Sequence, residues 1–190
     1  MARIMKSDWR DCIVTYVDLT GVKRRAAADR SATGLMRRLH SVAATEVPRL
    51  TAVAHAYVWN DSVLLLSFVD QHCASFVAAM RDADGFKRKL DAVAKSYAVA
   101  VKGQTFPTQL LPKPSLGHVT ILGASSWAMA NCFEIEKRLG KIRAGWYVDG
   151  RIARKLRGTN QARKHQVALF PSGRSRAVHS YKGYLWGTAV

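Results

Sequence analysis

Two strand-like runs, Thr51 to Trp59 and Ser62 to Val69, are separated only by Asn60-Asp61. Asn and Asp tolerate positive φ, so a two-residue turn joins the runs as a tight hairpin. That hairpin commits the middle of the chain to an antiparallel sheet. Upstream, Cys12 to Val17 (CIVTYV) is a short run rich in β-branched and aromatic residues, ending at Asp18 and a Gly-containing turn, Leu19 to Gly21. It has the pattern of a buried central strand that finishes on a carboxylate. Between the two, Thr33 to Val47 carries Leu35, Leu39, Val42 and Val47 at helical spacing, with Pro48 closing the helix.

Downstream, Gln71 to Met80 and Phe86 to Ala94 are helical with a break expected at Asp84-Gly85, and Tyr97 to Val101 is a strand expected to end at Gly103. After a Pro-bearing loop, His118 to Leu122 has strand character, Ser125 to Leu139 is an amphipathic helix, and Arg143 to Val148 is a further strand. Two more strand-like runs, Gln166 to Phe170 and Ala177 to Trp186, have no position in the sheet from sequence alone. The order β-α-β-β-α-β followed by α-β is an α+β, ferredoxin-like plan with extensions. We expect one domain over residues 1–190, with a core at about 12–149 and a basic C-terminal extension at about 150–190.

Composition supports a packed core and raises the question of a partner. Hydrophobic residues make up 48% of the 190-residue chain, which excludes wholesale disorder. Its net charge is +17, and the excess is uneven: Lys137 to Val190 holds 13 basic residues against the single acid Asp149. Such basicity favours an anionic partner without separating nucleic acid, a membrane surface and a polyphosphate. Pro114 to Phe133 lacks Asp, Glu, Lys and Arg, but Pro114, His118 and Gly123 interrupt it, so it reads as a buried strand then a helix and not a membrane span. The N-terminus MARIMKSDWRD has no apolar stretch of the kind that forms a secretory signal. Cys12, Cys73 and Cys132 are odd in number and far apart, which suggests buried free thiols and a reducing, cytoplasmic compartment. His55, His72 and His118 lack metal-ligand spacing.

In the ferredoxin-like plan the first strand lies beside the hairpin, which brings Asp18 and Asp61 together. Two carboxylates at strand ends beside a Gly-containing loop suit the oxygen ligation that Mg²⁺ prefers when it also binds substrate phosphates. Backbone N–H groups of the loop from Leu19 to Lys23 can cradle phosphate oxygens. The alternatives are ordinary: a carboxylate at a strand end also caps loops, and Asp61 is a common hairpin residue.

TYVDLTGVK followed by YVWNDSVLLLSF resembles the class III nucleotidyl cyclase pattern, in which an Asp and a short turn end the first strand and a hairpin Asp supplies a second metal ligand. The likeness continues through AVAVKG (Ala98 to Gly103) and WAMANCFEIEKRL (Trp127 to Leu139), covering roughly Cys12 to Asp149. Within the superfamily, the short chain and the helix ending in FEIEK look most like the pyrimidine cyclases of the Pycsar antiphage system. The resemblance implies two Mg²⁺ or Mn²⁺ ions on Asp18, Asp61 and the Leu19 carbonyl, with Leu19, Thr20 and Gly21 along the phosphates. It implies in-line attack of the ribose 3′-hydroxyl on the α-phosphorus and release of pyrophosphate. Tyr57 stands where adenylate cyclases place a Lys that reads adenine, and a phenol suits a smaller pyrimidine, which favours UTP over CTP. Asn131 is the candidate that reaches the transition state. A bacterial, cytoplasmic homodimer with sites between subunits, signalling to a separate effector, is the implied setting.

The sequence departs from the family at three places. Asn60 replaces the usual hairpin Gly, Val22 replaces an aromatic, and the residue four after Asn131, where a transition-state Arg is expected, is Ile135. Tyr57 also fits a packing residue, Asn131 a polar helix face, and Trp127 and Met129 core or dimer contacts. The basic run Arg151 to Lys164 fits a solvated extension, a nucleic-acid stripe or a positive wall over a triphosphate. It contains no aromatic, so a nucleic-acid module is the less favoured of these.

Overall fold

β1 (Arg10–Leu19) lies between two antiparallel neighbours, β3 (Ser62–Phe68) and β4 (Ser96–Phe106), and is buried on both faces over most of its length. Burial on both faces explains why CIVTYV is continuously apolar instead of alternating. The protein is seen here as a computed structural model that describes residues 9–22, 31–69, 75–106, 125–139, 142–156, 163–168 and 174–186. β2 (His55–Trp59) pairs with β3 at one edge, so β4-β1-β3-β2 forms the expected ferredoxin-like core. β6 (Gly145–Asp149) adds in parallel to β4, and β8 (Ser175–Tyr181) and β7 (Arg163–Ala168) extend the sheet beyond it. The short β5 (Ser125–Ser126) pairs with the far end of β4.

Alternation along β1 sends its side chains to two cores. Ile13, Val17 and Leu19 join Val63, Leu65, Ala98, Ala100 and Val148 beneath α1 (Ser31–Glu46) and α2 (Phe76–Asp91), which contribute Leu39, Met80, Phe86 and Leu90. On the opposite face Cys12, Val14 and Tyr16 meet Leu64, Leu66, Val99 and Val101 under α3 (Trp127–Arg138), through Ala128, Cys132 and Ile135. α3 approaches β4 so closely that a Cβ on Gly103 would stand 2.9 Å from the Ala128 Cβ. Gly103 therefore admits the helix, and β4 continues through it to Phe106, past the expected end.

Three other expectations are revised. β2 starts at His55 and not Thr51, because the Ala52 N–H donates to the Asp82 carboxylate (2.8 Å), tying that segment to α2. Ser125 and Ser126 are strand, and the Ser126 hydroxyl accepts from the Met129 N–H (3.2 Å) to start α3 two residues late. α2 is continuous through Asp84-Gly85. Asp84 is only 2% exposed, yet it is no breaker: it accepts from the Trp146 indole N–H (2.9 Å), the Leu185 N–H (3.0 Å) and the Arg88 guanidinium (2.8 Å). The run His118 to Leu122, His72 and Cys73 lie outside the described residues, and Cys12 and Cys132 are free and buried. Among the described residues no helix is long and apolar enough to cross a membrane.

Asp84 thus fastens α2, β6 and the C-terminal segment at one buried point. Asp84→Ala strands the buried Trp146 and Leu185 N–H donors and removes the ion pair to Arg88, so it should lower unfolding free energy in urea by about 3–5 kcal/mol. A loss below about 1 kcal/mol would show that the node is dispensable.

Candidate active site

The turn between β2 and β3 is the two-residue loop expected, with Asn60 at φ 44° and Trp59 opposite Ser62. The Leu19 N–H donates to the Asp61 carbonyl (3.1 Å), which binds the hairpin tip to the end of β1. His40 on α1 adds a hydrogen bond between its Nε2 and the Asn60 carbonyl (2.9 Å). On the other side, the Thr20 N–H and hydroxyl both donate to the Lys95 carbonyl (2.9 and 3.0 Å). Gly21 follows at φ +81°, a conformation that favours glycine, and turns the chain away. Asp18, Leu19, Thr20, Gly21 and Asp61 thereby line one cleft of about 210 Å³.

Two further side chains in that cleft were not foreseen. In the β1–β4 register Tyr97 sits opposite Asp18, and its hydroxyl lies 2.6 Å from the Asp18 carboxylate and 3.0 Å from that of Glu136 on α3. Ser62, opposite Asp18 on β3, donates to its other carboxylate oxygen (3.2 Å), and the Tyr16 hydroxyl sits 2.8 Å from the Ser62 hydroxyl. Only the strand register pairs these residues, and register is not encoded by local pattern. Burial lifts the Asp18 carboxyl from 3.8 to about 6; the Asp61 charge adds to the rise, and the Tyr97 and Ser62 hydroxyls oppose it.

The donor set fits a hard divalent cation. Asp18 and Asp61 could hold it with the Leu19 carbonyl, and two carboxylates completed by water and phosphate oxygens match Mg²⁺ chemistry. Among the described residues no group of three His, Cys, Asp or Glu side chains forms a full protein cage. Tyr57 lies half-buried on the edge strand β2, opposite Leu64 and packed on the α3 side of the sheet, and is not among the residues lining the cleft. Asn131 is also elsewhere: it lines a second, larger cleft with Lys102, Arg151, Arg154, Lys155 and Arg176. Trp127 is 59% exposed beside it and is not a core residue.

The same arrangement of strands and helices occurs in solved cyclase domains. The adenylyl cyclase CyaB from P. aeruginosa superposes with a TM-score of 0.70 at 8% identity, over 90% of this chain and 93% of its own. The guanylyl cyclase Cya2 gives 0.64 at 10% identity, over 93% of each chain. The fold is that of class III nucleotidyl cyclase domains. A guanylate cyclase domain from Catenaria anguillulae, solved with GTP, gives 0.62 at 9% identity over 90% of this chain and 96% of its own. At such identities the likeness to these cyclase domains is one of fold. No family model and no curated protein matches the sequence.

The raised Asp18 pKa has a consequence for stability. The folded carboxyl keeps its proton where the unfolded one has lost it, so its stabilising contribution is full below pH 3.8 and is lost as pH rises to about 6. Ionised Asp18 therefore destabilises the metal-free cyclase fold at neutral pH. Asp18→Asn should raise Tm in chelator at pH 7.5 by about 2–6 °C, and the gain should shrink towards pH 4. A lower Tm for the variant at pH 7.5 would contradict this.

Proposed function

We propose that the protein is a homodimeric nucleotide cyclase that converts a nucleoside triphosphate to its 3′,5′-cyclic monophosphate and pyrophosphate. The observation that carries the reading is the joining of Asp18 and Asp61 at one cleft, through the Leu19 N–H bond to the hairpin tip, within a cyclase fold. Asp18 and Asp61 would hold two Mg²⁺ or Mn²⁺ ions, with help from the Leu19 carbonyl. When bound, such ions lower the pKa of an attacking hydroxyl and offset charge on a leaving pyrophosphate. Tyr97 and Ser62 fix the Asp18 carboxylate through both oxygens, so it needs little reorganisation when substrate arrives. Leu19, Thr20 and Gly21 form the phosphate-side wall, with the Thr20 hydroxyl anchored to Lys95. Asn131 acts across the dimer interface on the substrate held by the other copy.

The substrate we favour is UTP, with CTP second, and the product serves as a second messenger to a separate effector in bacterial antiphage defence. Support for the base preference comes from Tyr57, a half-buried phenol on β2 whose hydroxyl can donate or accept. A second reading, a single-stranded nucleic-acid-binding domain, draws on the larger cleft, where exposed Trp127 stands among cations.

Incubation of the purified protein with each of the four nucleoside triphosphates and Mn²⁺ or Mg²⁺, with product identification, tests the cyclase reading. We expect cyclic UMP first, loss of turnover by at least about 1,000-fold in Asp61→Ala, and an altered base profile in Tyr57→Phe. No cyclic product from any nucleotide, together with oligonucleotide binding that weakens steeply with salt, would favour the nucleic-acid reading.

A further inference from the structure

The larger cleft, about 770 Å³, gathers positive charge from three elements that are distant in sequence. Lys102 on β4, Arg151 on the short helix α4 (Gly150–Ala153), Arg154 and Lys155 just after it, and Arg176 on β8 line it against the single acid Asp11. Asp11 is already engaged, by the Gln104 side-chain amide (3.3 Å) and by Lys102 (3.6 Å). Arg176 faces the buried Asp149 at 3.8 Å, yet its Nη1 atom is buried without a hydrogen-bond partner. Among the described residues neither Arg151 nor Arg154 has an ion-pair partner, and both are exposed. The cleft thus holds more positive charge than its own chain neutralises.

The fold fixes these cations in place. Asp149 is fully buried and caps α4 by accepting from the Arg151 and Ile152 N–H groups (3.1 and 2.9 Å), which sets where Arg151 and Arg154 stand. Gly103 lets the start of α3 lie close on β4, and this brings Trp127 and Asn131, one helical turn apart, to the wall of the same cleft. Trp127 belongs to neither apolar core and leaves its indole in solvent among the cations. An exposed indole beside fixed guanidinium groups is the pairing that holds unpaired nucleobases by stacking while the cations track the phosphates. The amides of Gln104 and Asn131 add donors and acceptors at the height of a base edge. Other polyanions use only part of this set. An inorganic polyphosphate would meet the cations and leave Trp127 in water, and a duplex keeps its bases stacked within itself. A membrane surface is broad, whereas these cations line a concavity.

We infer that this cleft binds single-stranded nucleic acid on the same chain that carries the Asp18–Asp61 site, with a base stacked on Trp127 and successive phosphates on Lys102, Arg151, Arg154 and Arg176. Lys155 is set partly aside by its contact over the Phe76 ring (5.1 Å). The inference goes beyond both functional readings above. It does not put nucleic-acid binding in place of catalysis, and it gives the cleft an occupant whether or not Asp18 and Asp61 turn a nucleotide over. The contacts are to phosphates and to a base face, which every sequence presents, so the site tolerates many sequences and is sensitive to salt.

The test is equilibrium binding of the full-length chain to end-labelled oligothymidylate and oligouridylate, each about ten nucleotides long, across a salt series. We expect saturable binding to at least one of them, and the tighter of the two tells DNA from RNA as the source. Four phosphate contacts predict that log affinity falls against log salt with a slope of about −2.8. Arg151→Glu with Arg154→Glu, both at exposed positions, should weaken binding at least about 10-fold and make the slope shallower by about 1.4. Trp127→Ala should weaken it at least about 5-fold with the slope unchanged, and Trp127→Phe should restore most of the loss, a pattern that a bare patch of charge does not produce. A duplex of equal length should bind at least about 10-fold more weakly. No saturable binding to either strand, undiminished binding in the double Arg variant, equal affinity for the duplex, or indifference to Trp127→Ala would each overturn the inference. Asp18→Ala separates it from the cyclase reading: under that reading turnover is lost, while oligonucleotide affinity should stay within about 2-fold of wild type. Binding without any cyclic product sinks the cyclase reading alone, and cyclic product without binding sinks this inference alone.

Discussion

Asp18 ends a strand that is covered on both faces, and the site depends on that placement. Its two antiparallel neighbours set Ser62 and Tyr97 opposite the carboxylate, and the Leu19 N–H fixes the hairpin that carries Asp61. Moving β1 by one residue would turn Asp18 and Tyr16 together to the α1–α2 side, so the apolar packing that fixes register also fixes the site. Burial makes the ionised carboxylate unfavourable, as the rise of its pKa to about 6 reflects. A group held in that state beside a second carboxylate is primed for a cation, and the fold's two cores supply the stability that sustains it.

Charge is separated across the molecule in a way that net charge conceals. The +17 excess lies mostly after Glu136, and the fold gathers part of it, Arg151, Arg154, Lys155 and Arg176, with Lys102 around one cleft. The carboxylates gather at the other. α3 separates the two.

The element order and the Asp18–Asp61 pairing were legible because they rest on local pattern: an apolar run ending in Asp, and a two-residue turn between strands. Tyr97, Ser62 and Glu136 were not, since their meeting depends on register and on where α3 docks. The break expected at Asp84-Gly85 failed because turn-forming residues were weighed without knowing that Trp146 and Leu185 stand across from Asp84. Gly103 was read as a strand end, whereas the helix above it needs the missing Cβ. Asn131, expected by likeness to reach the transition state in a site between subunits, stands within the single chain among the cations of the larger cleft.

The central claim is that Asp18 and Asp61 form one metal site that needs substrate to be complete. Mn²⁺ binding followed by electron paramagnetic resonance, with a 3′-deoxynucleoside triphosphate that cannot cyclise, addresses it without turnover. The account predicts two ions bound per nucleotide in the wild type and, in Asp61→Ala, affinity reduced by at least about 10-fold. Unchanged Mn²⁺ binding in Asp61→Ala would contradict it.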